Sequence, residues 1–301
     1  MRDLRAYAQI VNDRLDEIFT VIPEGQYDMG KMPWLLNRSM RYSLFAGGKR
    51  LMPAMLLAAV EMLGGSIEDA LDCACAVEMI HTSSLIHDDL PSMDDDALRR
   101  GKPTNHVVFG EGQAILAGDG LLNFAYETML TSAIRHPGQA QSYLLAMQEI
   151  ATGTGATGMI AGQAMDLHCE ANRIRDERAL EYIQRNKTAC MFICPLRAAA
   201  RLCGADRQTM EALTRYGRAF GLLFQATDDL LDVTGDADSM GKIRGRDAER
   251  GKLTCISTYG VSGTRALVER LRTEAHDALE PFGDRAGFFA DLVDSMLNRT
   301  Q

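Results

Sequence analysis

The chain has 301 residues, 46% hydrophobic and 24% charged, which is enough to bury a large core and shows no biased tract. Its 32 Lys and Arg against 41 Asp and Glu leave a net charge of -9. That excludes nucleic acid as the main partner, because a phosphate backbone demands a basic surface, yet it leaves room for a local basic lining that takes small anions.

The opening stretch MRDLRAYAQIVNDRLDEIF is too charged for a signal peptide, and no apolar run reaches membrane-spanning length. Leu4, Tyr7, Val11, Leu15 and Ile18 recur at steps of three and four and draw one apolar stripe on a helix. Long Ala-, Leu- and Met-rich segments follow at 51–64, 67–90, 111–134, 139–170, 174–203 and 207–235. Leu267, Leu271, Ala275, Ala278 and Phe282 repeat the helical spacing near the other end. Pro23, Pro33, Pro103, Pro137 and Pro281 fall at or near the ends of these segments, where proline is tolerated. No two-residue alternation is sustained long enough for a sheet, and no linker or repeat interrupts the chain. The expected fold is all-α: a single large helical bundle of about ten helices, one domain over 1–301. Seven cysteines, an odd number in apolar stretches without clustered ligands, read as buried thiols, which fits a soluble protein of a reducing, cytoplasmic compartment.

Two carboxylate clusters carry the chemistry. SLIHDDLPSMDDDALRRG holds Asp88, Asp89, Asp94, Asp95 and Asp96, with Arg99 and Arg100 after them. His81, Ser84 and Asp88 stand at i, i+3 and i+7 on one helix face, and Pro91 offers a kink that could return Asp94 toward it. In GLLFQATDDLLDVTGD, Gln225, Asp228, Asp229 and Asp232 occupy i, i+3, i+4 and i+7. A single string of this kind is more often a solvated face. Two of them, each continuing an apolar helix, call for a neutralising cation. Magnesium fits, since it takes carboxylate oxygens and accepts phosphate oxygens as further ligands. Cations stand nearby in sequence: Lys49 and Arg50 after Gly47-Gly48, Arg99 and Arg100, and Lys242 and Lys252. Arginine suits bidentate diphosphate contacts and lysine acts as a point charge.

In order along the chain stand GGKR at 47–50, HTSSLIHDDLPSMDDDALRRGKPTNH at 81–106, VFGEGQAILAGDGLL at 108–122, GQAMDL at 162–167, NKTA at 186–189 and FQATDDLLDVTGD at 224–236. With these motifs the chain resembles the trans-polyprenyl diphosphate synthases, the farnesyl and geranylgeranyl diphosphate synthases, over nearly its whole length. The resemblance implies that Asp88 and Asp94, with Asp89 supporting, hold two magnesium ions on an allylic diphosphate, and that Asp228 with Asp232 holds a third. It assigns Arg99, Lys187 and Lys242 to the allylic diphosphate and Lys49, Arg100 and His81 to isopentenyl diphosphate, and Arg50 and Lys252 stand beside them as further substrate-binding cations. Lys187, Thr188 and Gln225 would stand beside the developing allylic cation. The family is commonly homodimeric.

The family pattern GGKRLRP has an arginine where this chain has Met52, so Arg50 or another cation must compensate or affinity for isopentenyl diphosphate falls. Ile243 replaces the family's proline after Gly-Lys. Five residues before Asp88 stands Ser83, then Ser84, neither the bulky aromatic that would block a growing tail about one turn above the aspartates. This tips the expected product from C15 toward C20. Three other readings meet counter-evidence. GTGATG at 153–158 spells a dinucleotide-loop pattern for a nicotinamide-dependent oxidoreductase, but the helix-forming SYLLAMQEIA precedes it where a strand is required, so close helix packing explains the glycines better. A terpene cyclase needs no isopentenyl site such as GGKR, His81 and the Arg99-Arg100 pair supply. A non-catalytic regulatory subunit should have lost an aspartate cluster, and both are complete here.

Overall fold

The computed structural model describes residues 2–234 and 251–297. Helices dominate, and among the described residues the only strands are a two-residue pair. The chain divides into two compact units, one of residues 2–57 and 66–147, the other of 58–65 and 148–301. The helices α3 (Leu51–Met62) and α7 (Ala140–Thr154) run across the points of division.

In the first unit, α1 (Leu4–Ile18) is capped by the Asp3 carboxylate on the Ala6 N–H and buries Tyr7, Val11 and Leu15, the stripe read from sequence. Pro33 is the N-cap of α2 (Trp34–Leu44). The spine is α4 (Ile67–Asp88), whose Ser66 cap and acidic first turn, Glu68 and Asp69, favour its start. Its interior, from Ala70 to Ile80, is buried without interruption, so α4 is wrapped on all sides. A second long helix, α6 (Glu111–Arg135), packs along it through Ala114, Ala117, Gly118 and Leu121. Gly118 is needed there, because a Cβ at that position would strike the His87 imidazole. The short helix α5 (Asn105–Phe109) precedes α6.

In the second unit the spine is α11 (Arg207–Thr234), burying Met210, Leu213, Tyr216, Phe220, Leu223 and Ala226 at helical spacing. It packs on α10 (Cys190–Leu202), where a Cβ on Gly221 would lie 2.6 Å from the Ala189 Cα. Phe192 meets Phe220 edge-on at 5.3 Å, and the Tyr216 hydroxyl donates to the Phe289 carbonyl at 2.9 Å. After the residues outside the description, α12 (Cys255–Leu279) starts with a Thr254–Ser257 capping box and α13 (Gly287–Leu297) closes the unit.

The segment expected to be helical throughout 139–170 is two helices, α7 and α8 (Met159–Asn172), broken at 155–158. A Cβ on Gly158 would strike the Gly153 carbonyl, so the chain can turn there only as glycine. Gly153 and Gly162 serve close packing as expected: a Cβ on Gly153 would lie 2.5 Å from the Cys194 Cβ, and one on Gly162 would strike the Lys187 backbone nitrogen. A helix, not a strand, precedes this run, which removes the dinucleotide-loop reading. All seven cysteines are free thiols. No helix among the described residues is long and apolar enough to cross a membrane.

Candidate active site

One cluster of candidate site residues lies where α4 ends. The helix stops at Asp88, with Asp89 as its C-cap, rather than kinking at Pro91 and running on. The chain instead folds back on itself: the Asp94 N–H donates to the Asp88 carbonyl at 2.8 Å, the Asp95 N–H to Leu90 at 3.0 Å, and the Asp96 N–H to Asp89 at 3.2 Å. This reversal needs Asp95 in the left-handed region at φ 50°, which aspartate tolerates better than most residues. Asp88 and Asp94 are thereby brought to one turn of chain, both half-buried, while Asp95 is exposed.

Asp89 turns the other way. It is 3% exposed, and its two oxygens receive the Arg99 Nε at 2.8 and 2.9 Å and Nη2 at 2.6 Å. Asp89 and Arg99 therefore hold each other, a charge-assisted fork that fixes the arginine beside the aspartates. Arg99 lies in β1 (Leu98–Arg99), which pairs antiparallel with β2 (Lys102–Pro103). Arg100 and Gly101 form the two-residue turn, both with positive φ, so Arg100 sits at the tip and leaves on a different path from Arg99. The Tyr42 hydroxyl donates to the Pro103 carbonyl at 2.7 Å and anchors the hairpin to α2.

The Arg100 guanidinium donates to the Gly47 carbonyl and lies so close to Gly48 that a Cβ there would be 2.5 Å from it. The Gly47-Gly48 pair thus makes room for Arg100 beside exposed Lys49. Arg50, expected at the substrate, faces inward at 4% exposure. Its guanidinium donates to Asn12 Oδ1 at 2.9 Å, Gly47 O at 3.2 Å, Leu44 O at 2.6 Å and Glu78 Oε1 at 2.8 Å. Most of its donors are engaged by the protein, so Arg50 supports the loop and does not stand in for the cation absent at Met52, which is itself 8% exposed. His81 lies one turn beyond Glu78 on α4; burial, then the charges of Arg100, Arg99 and Arg50, push its pKa down to about 3. It is a neutral imidazole at neutral pH and can offer an N–H to an anion. Ser83 and Ser84 turn their hydroxyls back onto the Ile80 and His81 carbonyls at 2.8 and 2.9 Å. Neither adds bulk or a spare donor beside α4.

A second cluster, within the other unit, is built on α11 and a widened turn. Between α9 (Glu177–Ile183) and α10 the helix opens into a π segment, Gln184–Ala189, that carries Lys187 and Thr188. Such bulges commonly mark functional positions. Lys187 Nζ meets Asp166 Oδ2 at 2.5 Å. The Thr188 hydroxyl donates to Gln225 Oε1 at 2.9 Å, Gln225 Nε2 donates to Asp229 Oδ1 at 2.8 Å, and Asp229 Oδ2 accepts the Cys255 N–H at 2.7 Å. Thr188 and Gln225 are therefore held together, with the amide orientation of Gln225 fixed by the chain of bonds, while Lys187 is paired separately with Asp166.

That chain separates the carboxylates of α11, which the sequence pattern placed on one stripe. Asp229 is 4% exposed and ties α11 to the start of α12, while Asp228 and Asp232 are half-buried at i and i+4. Lys252 stands one residue before Leu253, which is buried in a small cluster with Cys169, Ala179, Leu180 and Ile183. Lys242 lies outside the described residues. Asp166 and Asp229 are the positions whose roles the sequence reading did not assign. GQAMDL was visible as a motif, but the pairing of its aspartate with Lys187 needs the fold.

No three His, Cys, Asp or Glu side chains among the described residues converge as a ready-made metal cluster. The donor sets fit magnesium in another way. Asp88 with Asp94, and Asp228 with Asp232, are pairs of hard oxygen donors, suited to an ion that completes its shell with water and substrate phosphate.

The profile of the polyprenyl synthetase family matches residues 33–298. The chain is 44% identical over 276 residues to the chloroplastic geranylgeranyl pyrophosphate synthase of Capsicum annuum, covering 91% of this chain and 72% of that one. It is 41% identical over 292 residues to the large subunit 1 of a heterodimeric geranylgeranyl pyrophosphate synthase of Arabidopsis thaliana, covering 96% and 75%. Among solved structures it resembles an FPP/GFPP synthase from Zymomonas mobilis with a TM-score of 0.83 at 32% identity, covering 97% and 96% of the two chains. The aspartate pairs, the cationic turn and the all-helical fold thus stand in a chain that belongs to the polyprenyl synthetase family and is a prenyltransferase.

Proposed function

We propose that the protein is a magnesium-dependent short-chain prenyl diphosphate synthase that condenses isopentenyl diphosphate with an allylic diphosphate and releases the C20 product. The observation that carries the reading is the chain reversal at the end of α4, which hangs Asp94 from Asp88 and leads directly into the Arg99-Arg100 hairpin.

Asp88 and Asp94, and separately Asp228 and Asp232, would hold magnesium, three ions with substrate bound. When bound, the metal supplies Lewis acidity that draws charge onto the leaving diphosphate. Arg99, which Asp89 orients, and Lys187 take the allylic diphosphate as cations, Lys242 is assigned with them, and Lys252 is a further substrate-binding cation. Lys49, Arg100 and the neutral His81 take isopentenyl diphosphate. The Gln225 carbonyl and Thr188 hydroxyl, locked by their mutual bond and by Asp229, present fixed dipoles to the allylic carbon as positive charge grows there. The allylic C–O bond breaks, the isopentenyl double bond forms the new C–C bond, and the departing diphosphate accepts the proton, so no side-chain base is assigned.

Small serines at 83 and 84, with hydroxyls turned onto α4 itself, leave space for a longer tail, and relatives named as geranylgeranyl synthases agree with C20. The working assembly is a homodimer, supported by exposed Val107, Val108, Ile115 and Leu116 on α5 and α6. Light scattering separates this from a chain that pairs only with a different subunit, as the name of the Arabidopsis relative describes. A cytoplasmic location is supported by the seven free thiols. The test is incubation of the protein with isopentenyl diphosphate and a C5 allylic diphosphate, with magnesium or with EDTA. Product only with magnesium supports the reading, and no product in either rejects it.

A further inference from the structure

The second unit has a groove that the proposed reaction does not use. It is a cavity of about 270 Å³ lined by residues of the π segment and α10 on one side and of α11 on the other. Arg185, Arg215 and Arg218 rim it, and Ala189, Cys190 and Ile193 contribute its apolar lining. Among the described residues no Asp or Glu is part of the lining. Of the acids one turn away, Glu211 is paired with Arg207 at 2.7 Å and Glu181 with Arg185 at 3.1 Å. The latter is an exposed i, i+4 contact of the kind worth a few tenths of a kcal/mol, so an anion can draw Arg185 away from it. Three guanidinium groups around one recess, in a chain of net charge -9, form a local reversal of sign that favours a compact polyanion.

We propose that this groove is a second anion site, distinct from the aspartate clusters, which binds a diphosphate group through Arg185, Arg215 and Arg218. Guanidinium forks match phosphate oxygens two at a time, and three of them suit a diphosphate better than a single carboxylate. The apolar wall at Ala189 and Ile193 admits a diphosphate that bears a short hydrocarbon. The groove's own charge and shape favour such a ligand whether or not the chain elongates isoprenoids.

The test is calorimetric titration of the full chain with inorganic diphosphate in EDTA, beside the Arg215→Glu, Arg218→Glu double variant. Both positions are exposed and outside the catalytic set, and elongation by the variant controls for folding. The wild-type protein should show a class of sites that weakens by at least about tenfold in the variant, the scale set by losing two charge-assisted hydrogen bonds. Superimposable isotherms would overturn the proposal. A second readout does not depend on the variant: alkylation of Cys190, followed by peptide mass, should slow when diphosphate is present, and an unchanged rate counts against the site. A third arm offers vesicles of anionic or neutral lipid. Sedimentation with anionic vesicles through these arginines, with no diphosphate bound in solution, would assign the patch to a membrane surface and overturn the small-anion reading.

Discussion

Arg50 and Glu78 form an ion pair of 2.8 Å in which the two side chains are 3% and 2% exposed. Glu78 Oε2 is buried and has no hydrogen-bond partner, so the pair is held with one lone oxygen against it. Burial raises the Glu78 carboxyl, and the charges of Arg50 and Arg100 pull it back. Removing one member strands the other charge in a dry site, at a cost of about 3–5 kcal/mol. Arg50→Met and Glu78→Leu should each lower the denaturation midpoint strongly, and the double variant should recover much of the loss. Additive single effects in denaturant titrations would contradict this assignment.

With Arg50 committed to the fold, the position of Met52 lacks a cation, and isopentenyl diphosphate should bind with less than its full set of contacts. Met52→Arg is therefore expected to lower the KM for isopentenyl diphosphate, by roughly tenfold for one new charge-assisted hydrogen bond, with little change in the KM for the allylic substrate. Steady-state kinetics with each substrate varied in turn decides the point.

The run Asp94-Asp95-Asp96 offers a selective comparison. Asp94 is drawn to Asp88 by the chain reversal, whereas Asp95 is exposed. Asp94→Asn should reduce turnover by at least about hundredfold, as expected when a ligand to a Lewis-acid metal is lost, while Asp95→Asn should stay within about twofold of the parent. Magnesium-dependence curves for both variants check it.

Legibility of the sequence differed between these residues for physical reasons. The helix stripes were plain, because Tyr7, Val11 and Leu15, or Tyr216, Phe220 and Leu223, repeat at the spacing of a buried face. The aspartate clusters and Lys187, Thr188 and Gln225 were legible as motifs. The inward turn of Arg50 was not, since a basic residue after two glycines reads as exposed, and only the distant Glu78 and Asn12 explain its burial. Likewise Asp229 cannot be told from Asp228 by helical spacing. Its role depends on the Cys255 N–H, 26 residues away. Pro91 suggested a kinked helix, but the backbone found a tighter solution in bonding Asp94 to Asp88.

His81 gives a pH prediction. Its pKa falls from the ordinary 6.5 to about 3 in the folded protein, so below pH 6.5 the unfolded chain binds a proton that the folded chain refuses. Stability attributable to this group is intact above pH 6.5 and declines as the pH falls toward about 3. His81→Gln should flatten the slope of stability against pH in that window relative to the parent. Identical slopes would show that His81 titrates normally.

The central claim is tested most directly by product size. Purified protein, magnesium and isopentenyl diphosphate are incubated separately with C5, C10 and C15 allylic diphosphates, and the products are weighed by mass spectrometry. The account predicts elongation from all three primers that stops at C20. A product that stops at C15 would contradict the role given to Ser83 and Ser84, and no elongation from any primer by folded protein would contradict the synthase itself.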